Sequence, residues 1–242
     1  MIWVLRATRA LSTLCLLLAG CSASESGSAI EHGRALFASR ALSPSELNRF
    51  TCQTCHDADA ASTPGSRKPG ASLAGATLRP AFWGGQEYDL LLAIEACRRY
   101  FMRSVEPLPR DSTDAEALYA FLRSLEPGSA EPVPFTVVRE IADVPRGDGA
   151  RGAELYGAAC RSCHGDAGSG QGRLTPLAPV LPEETIAAHA DYDARELRLV
   201  FVEKTRHGPF LGYGGSMPPF SSETLSDAEL GDILEYLSVL GQ

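Results

Sequence analysis

The sequence has few aromatic residues and few methionines, and its early apolar run is short. Aromatic side chains make up 7% of the 242 residues. Two domains of about a hundred residues each would therefore have thin cores, and we expect something besides side chains to help fill them. The apolar run Leu11–Leu18 is too short to span a bilayer. Because it follows Arg6 and Arg9, it is typical of a cleaved export signal.

An excess of positive charge is also missing. The formal net charge is −8, which argues against nucleic acid as a partner. No serine triad, phosphate-binding loop or pair of catalytic acids stands out, and Gly147–Gly152 has glycines without a strand–helix context. The sequence therefore predicts no catalytic residue.

Residues 18–21, which read LAGC, close the export signal. They resemble the lipobox of bacterial lipoproteins. The resemblance implies that residues 1–20 are removed, that Cys21 becomes lipidated, and that residues 21–29 form a flexible tether. Ser22 then fits sorting to the outer membrane, so we expect a lipid-anchored protein of the cell envelope, facing the periplasm. A plain signal peptide with an incidental Cys21 is the alternative.

The rest of the chain contains one unit twice. Residues 33–37 (GRALF) are matched by 152–156 (GAELY), and residues 114–125 by 227–240. Both closing segments carry apolar residues at i, i+3, i+4 and i+7, which predicts amphipathic helices. Ser112 and Ser226 are the predicted caps of these helices. We predict domains over 30–126 and 146–242, joined by a proline-rich linker over 127–145.

Each unit contains a C-x-x-C-H motif. The motif residues are Cys52, Cys55 and His56 in the first half and Cys160, Cys163 and His164 in the second. A thioredoxin-like site needs a βαβ context, and a zinc site needs a fourth ligand nearby; neither is visible. The third possibility is covalent haem c, attached through both thiols with the histidine as proximal iron ligand. The motif occurs twice in a chain that is predicted to be exported. In an oxidising compartment, cysteines without a cofactor would form disulfides, so the repetition favours two haems.

The pattern resembles the class I cytochrome c family, here as a tandem dihaem protein. The resemblance implies an all-α fold with two cytochrome c domains, each a few helices around its haem. It also implies that a glycine and an aromatic residue on the first helix of each domain cross its last helix. The expected contacts are Gly33 and Phe37 with Phe121, and Gly152 and Tyr156 with Tyr236.

The sixth iron ligand is better defined in the second half than in the first. Met217, in the sequence GGSMPPF, looks like the distal methionine of this family. In the first half Met102 is expected by symmetry, but no such motif surrounds it. Cys97 is the alternative, because its segment resembles the region where a cysteine thiolate binds iron in sulfur-oxidising cytochromes. We therefore predict His56, Met102, His164 and Met217 as iron ligands, with Cys97 as alternative to Met102.

Two functions follow from these ligand sets. With both irons fully ligated, the protein is an electron carrier that passes single electrons between redox proteins or inside a larger respiratory or oxidoreductase complex. With Cys97 on the first iron, it is a dihaem oxidoreductase acting on a small sulfur anion such as thiosulfate. The sequence favours the carrier, and it names neither donor nor acceptor.

Overall fold

A computed structural model describes residues 27–59, 64–125, 130–136, 138–211 and 215–239. These residues are helical and contain no strand, apart from one isolated bridge between Phe82 and Glu87. The predicted all-α class is confirmed. Helix α1 covers residues 27–38. The later helices are α2 (Cys52–Cys55), α3 (Leu90–Tyr100), α4 (Thr113–Ser124), α5 (Gly149–Ala159), α6 (Arg161–His164), α7 (Glu183–Ala187), α8 (Ala194–His207) and α9 (Asp227–Tyr236). Short 3-10 turns cover Arg40–Leu42, Ala76–Leu78, Trp83–Gly85 and Gly208–Leu211.

The export signal, Cys21 and the tether up to residue 26 lie outside the described residues. In the part of the chain that is described, no helix has both the length and the apolar character needed to cross a membrane.

Hydroxyl caps start both closing helices, as predicted. The Ser112 side chain accepts a hydrogen bond from the backbone N–H of Ala115 at the start of α4. Ser226 does the same for Glu229 at the start of α9, and the Glu229 carboxylate accepts from the Ser226 N–H in return. These bonds satisfy backbone donors that the first helical turn leaves without partners, so they fix where each closing helix begins.

In the first half, α1 crosses α4 at a glycine. A Cβ built on Gly33 would overlap the backbone carbonyl of Ala117 and lie 2.6 Å from the Phe121 Cβ. The rings of Phe37 and Phe121 have centroids 5.4 Å apart beside this crossing. The expected contacts are therefore confirmed, and the missing side chain at Gly33 lets the two backbones touch.

The second half repeats this crossing between α5 and α9. A Cβ on Gly152 would overlap the Asp232 carbonyl and lie 2.9 Å from the Tyr236 Cβ. The Tyr156 and Tyr236 rings lie 5.5 Å apart. The fully buried Asp232 carboxylate also accepts hydrogen bonds from the Asp148 N–H and from Arg151. These bonds connect the beginning of the second half, at Asp148 and Arg151, to its last helix, α9.

Each half has its own buried apolar clusters. One cluster lies entirely within residues 144–239, and two others lie within residues 36–122. The predicted domain boundaries at 30–126, 127–145 and 146–242 stay predictions, but no buried cluster crosses the predicted linker in the described residues.

The two halves nonetheless touch at several polar contacts. Arg67 forms a 2.6 Å ion pair with Glu229 and donates its backbone N–H to the Ala158 carbonyl. The linker joins in, because the Thr136 N–H donates to the Glu223 carboxylate at 3.0 Å. Because Ala158 lies two residues before Cys160, the Arg67 contact reaches the start of the second C-x-x-C-H motif.

Replacing Gly152 tests the glycine crossing. Gly152→Ala is expected to lower the free energy of unfolding by about 2 kcal/mol, because the added methyl forces α5 away from the α9 backbone. Gly157→Ala is the matched control on the same helix, since a Cβ there meets nothing within 4 Å. The control is expected to stabilise the chain by about 0.5 kcal/mol. Denaturant unfolding of both variants measures the difference, and equal effects would contradict the assignment.

Candidate functional site

The first C-x-x-C-H motif lies on one wall of an apolar cleft. Thr51 and Thr54 form a reciprocal capping box that holds α2, the short helix carrying Cys52 and Cys55. The cleft contains about 1210 Å³ of space that protein atoms do not fill, including its open mouth. Both cysteines and His56 line it. The predicted attachment residues are therefore together, facing one apolar cleft.

His56 is fixed by a backbone carbonyl. Its Nδ1 donates to the Ala71 oxygen at 2.7 Å, so Nδ1 carries the proton and Nε2 has the free lone pair. Burial lowers the pKa of His56, which keeps the imidazole neutral. A neutral ring whose other nitrogen is bonded to a carbonyl is the usual form of a metal-binding histidine.

His164 repeats this arrangement. Its Nδ1 donates to the Pro179 carbonyl at 2.9 Å, and the carbonyl again lies 15 residues after the histidine. Burial lowers the pKa of His164 as well. No motif singles out Ala71 or Pro179 in the sequence, although the equal spacing from each histidine is visible once the two halves are aligned.

Met102 and Cys97 both line the first cleft. Met102 is 4% exposed and follows the end of α3, where its N–H donates to the Cys97 carbonyl at 3.3 Å. Cys97 is partly buried, and desolvation raises the pKa of its thiol to about 12. The structure therefore brings both predicted candidates for the sixth ligand of the first site to one cavity.

Met217 belongs to the second half's core. Met217 and Cys160 pack, partly buried, against the same apolar cluster. Gly208 has a left-handed φ of 51°, and a Cβ there would lie 2.5 Å from the Met217 carbonyl oxygen. Arg206 donates a 3.0 Å hydrogen bond to the carbonyl of Phe220, three residues after Met217. The methionine segment is thus fixed against the end of α8.

Residues that sequence analysis missed complete the first cleft. Phe135 of the predicted linker lines it and meets Trp83 edge-on, with ring centroids 5.6 Å apart. Pro218 and Pro219 of the second half also line it. Motif spacing within one half does not reveal such contributions, because they depend on how the halves pack.

The basic residues around the first site are mostly engaged within the protein. Lys68 pairs with Asp57 at 2.8 Å, Arg98 is buried against Glu95, and Arg67 pairs with Glu229. These three are therefore not presented as a docking patch for an acidic partner. Arg79 lines the cleft, where its Nε is buried with no hydrogen-bond partner.

A zinc site is not supported in the described part of the chain. No group of three or more His, Cys, Asp or Glu side chains there is arranged to hold a metal ion. A protein zinc site uses three or four such ligands.

Comparison with known proteins agrees with the architecture of the second half. Residues 147–237 match the family described as cytochrome C oxidase, cbb3-type, subunit III, so this part of the chain is a cytochrome c domain. Such a domain implies covalent haem c. No curated protein matches the chain. One similar solved structure is thiosulfate dehydrogenase (TsdBA) from Marichromatium purpuratum, as isolated, at 19% identity and a TM-score of 0.42. The match covers 88% of this chain and 46% of that one, so this chain corresponds to less than half of it.

Gly70→Ala is expected to disturb the first site alone. A Cβ at Gly70 would overlap the His56 ring and lie 2.8 Å from the Cys55 carbonyl, so the ring must tilt away from the Ala71 carbonyl. If each motif holds a haem, as the resemblance implies, carbon monoxide is expected to bind in the variant at the first haem and not at the second, measured by absorbance of the reduced protein. The second site is the internal control. Binding at both haems, or at neither, would contradict the role given to Gly70.

Proposed function

We propose that the protein is a dihaem c-type cytochrome that transfers single electrons in the cell envelope. The observation that carries this proposal is the repeated histidine geometry. In both halves a C-x-x-C-H histidine is neutral and donates a hydrogen bond from Nδ1 to a carbonyl 15 residues later. A haem iron bound to such a histidine cycles between its ferric and ferrous states and so carries one electron.

The residues of the first cleft fit a haem. Cys52 and Cys55 line one wall for covalent attachment, and apolar side chains such as Phe101 and Trp83 line others. The partnerless Nε of Arg79 suits an anionic propionate, because an unsatisfied buried donor is costly. In the second half, Cys160, Cys163 and His164 are the attachment and proximal residues.

Met102 and Met217 are the proposed sixth ligands. Each thioether lies in or against the apolar surroundings of its site. Methionine ligation raises the reduction potential, and a filled sixth position leaves no room for a substrate at the iron. The protein residues then hold the cofactors and exclude water from them, and electron exchange with partners is the activity.

The packing of the two halves also supports electron transfer. Pro218 and Pro219, which follow Met217, line the first cleft, so the two proposed haem sites share this segment. The contact residues Arg67 and Glu229 hold the halves in this arrangement. An electron entering at one haem thereby has a short route to the other.

A second candidate function is favoured by Cys97. Because its sulfur lines the same cleft as Met102, the first iron has two candidate sulfur ligands. If the Cys97 thiolate binds the first iron, the protein would be a dihaem oxidoreductase that acts on a small sulfur anion such as thiosulfate.

Near-infrared magnetic circular dichroism of the oxidised haem-loaded chain separates the two functions. We expect a methionine-to-iron charge-transfer band from both haems. Met102→Leu and Met217→Leu should each remove about half of this band, since each iron contributes one ligand set, while Cys97→Ala should leave it unchanged. A band from one haem only, lost in Met217→Leu and insensitive to Met102→Leu, would refute the carrier in favour of the oxidoreductase.

The cellular site is proposed from the N-terminal sequence. Lipidation of Cys21 would tether the protein to the membrane. The proposed partners are redox proteins of the periplasm or a larger membrane-bound complex. Membrane fractionation of Cys21→Ser tests this anchor, because a soluble variant is expected.

A further inference from the structure

One segment of the second half belongs to both candidate sites. Residues 215–219 carry Met217, which packs against the second half's core together with Cys160. The next two residues, Pro218 and Pro219, line the first cleft. A shift of this segment therefore changes the surroundings of both sites at once.

A hydrogen bond joins this segment to the corresponding segment of the first half. The Arg103 Nε donates to the Ser216 Oγ at 2.8 Å. Arg103 directly follows Met102, and Ser216 directly precedes Met217. The bond thus connects the neighbours of the two proposed sulfur ligands.

In the first half, hydrogen bonds fix the residues on either side of Arg103. The Met102 carbonyl accepts from the Ser43 hydroxyl at 2.7 Å, and the Ser104 N–H donates to the Arg98 carbonyl at 3.0 Å. Between them, Arg103 has a left-handed φ of 57°, which is uncommon for a residue other than glycine. Such a conformation persists only where its surroundings impose it.

The second half holds the other end. The Phe220 N–H donates to the Thr205 carbonyl at 2.8 Å, and the Met217 carbonyl lies against Gly208. On both sides of the Arg103–Ser216 bond, the chain is therefore held to the rest of its own half.

We propose that the Arg103–Ser216 bond, with the two prolines, couples the two methionine segments, so that release of one loosens the other. Arg103 and Ser216 are positioning residues that act through Met102 and Met217. The coupling is reciprocal, as any linkage between two binding sites must be. The consequence for the haems rests on the proposed function, whereas the contact between the segments does not.

Amide hydrogen exchange of the haem-loaded chain tests the coupling in the polypeptide. Ser216→Ala is expected to speed exchange of the Ser104 amide, in the other half, by about threefold, the worth of one modest hydrogen bond. Arg103→Ala should speed exchange of the Phe220 amide by a similar factor. The double variant should match the single variants, because all remove the same bond.

Imidazole binding to the oxidised protein, followed by absorbance, tests the same coupling at the irons. Because imidazole competes with the thioether, Ser216→Ala should tighten its binding at the first haem, and Arg103→Ala at the second, each by about threefold. Arg99→Ala is the control for loss of a neighbouring positive charge, and Ser222→Ala for loss of a nearby hydroxyl. Neither control should move binding or exchange across the contact.

Effects confined to the mutated half, or a double variant equal to the product of the singles, would overturn the coupling. This failure is distinct from failure of the proposed function. A chain that binds fewer than two haems would refute the dihaem assignment, while the exchange measurement would still report on the contact.

Discussion

The bond from each motif histidine to a backbone carbonyl is the constraint on which the sites depend. His56 and His164 both use Nδ1 to hold a carbonyl 15 residues later, so each buried ring has one orientation and one tautomer. Helix α2 ends just before His56 and α6 ends at His164, and the loops that follow must return to supply Ala71 and Pro179. Under the proposed function, these loops cover the haem sites.

The glycine crossings support the same two sites through helix packing. Gly33 and Gly152 let the first and last helices of each half touch, which fixes the frame against which the motifs lie. In the first half, the side chains around these helices do not fill the interior, and the cleft remains open. The haem proposed for this cleft would complete the hydrophobic interior, in keeping with the low aromatic content.

Much of this was predictable from local patterns. The helix caps at Ser112 and Ser226 and the aromatic pairs beside Gly33 and Gly152 follow from periodicity and from the repeat, since short-range rules determine them. The contributions of Pro218 and Pro219 to the first cleft were not predictable, because packing between the halves decides them. Sequence also left Met102 and Cys97 open, and both prove to line the cleft, since residues five apart around a helix end can reach one cavity.

The central claim is that both histidine sites hold covalent haem. The most direct test is the intact mass of the chain produced in a host that assembles c-type cytochromes, compared with Cys52→Ala/Cys55→Ala and Cys160→Ala/Cys163→Ala variants. The account predicts two haems per chain, and one in each paired variant. A single haem on the unmodified chain, or two haems on either variant, would contradict it.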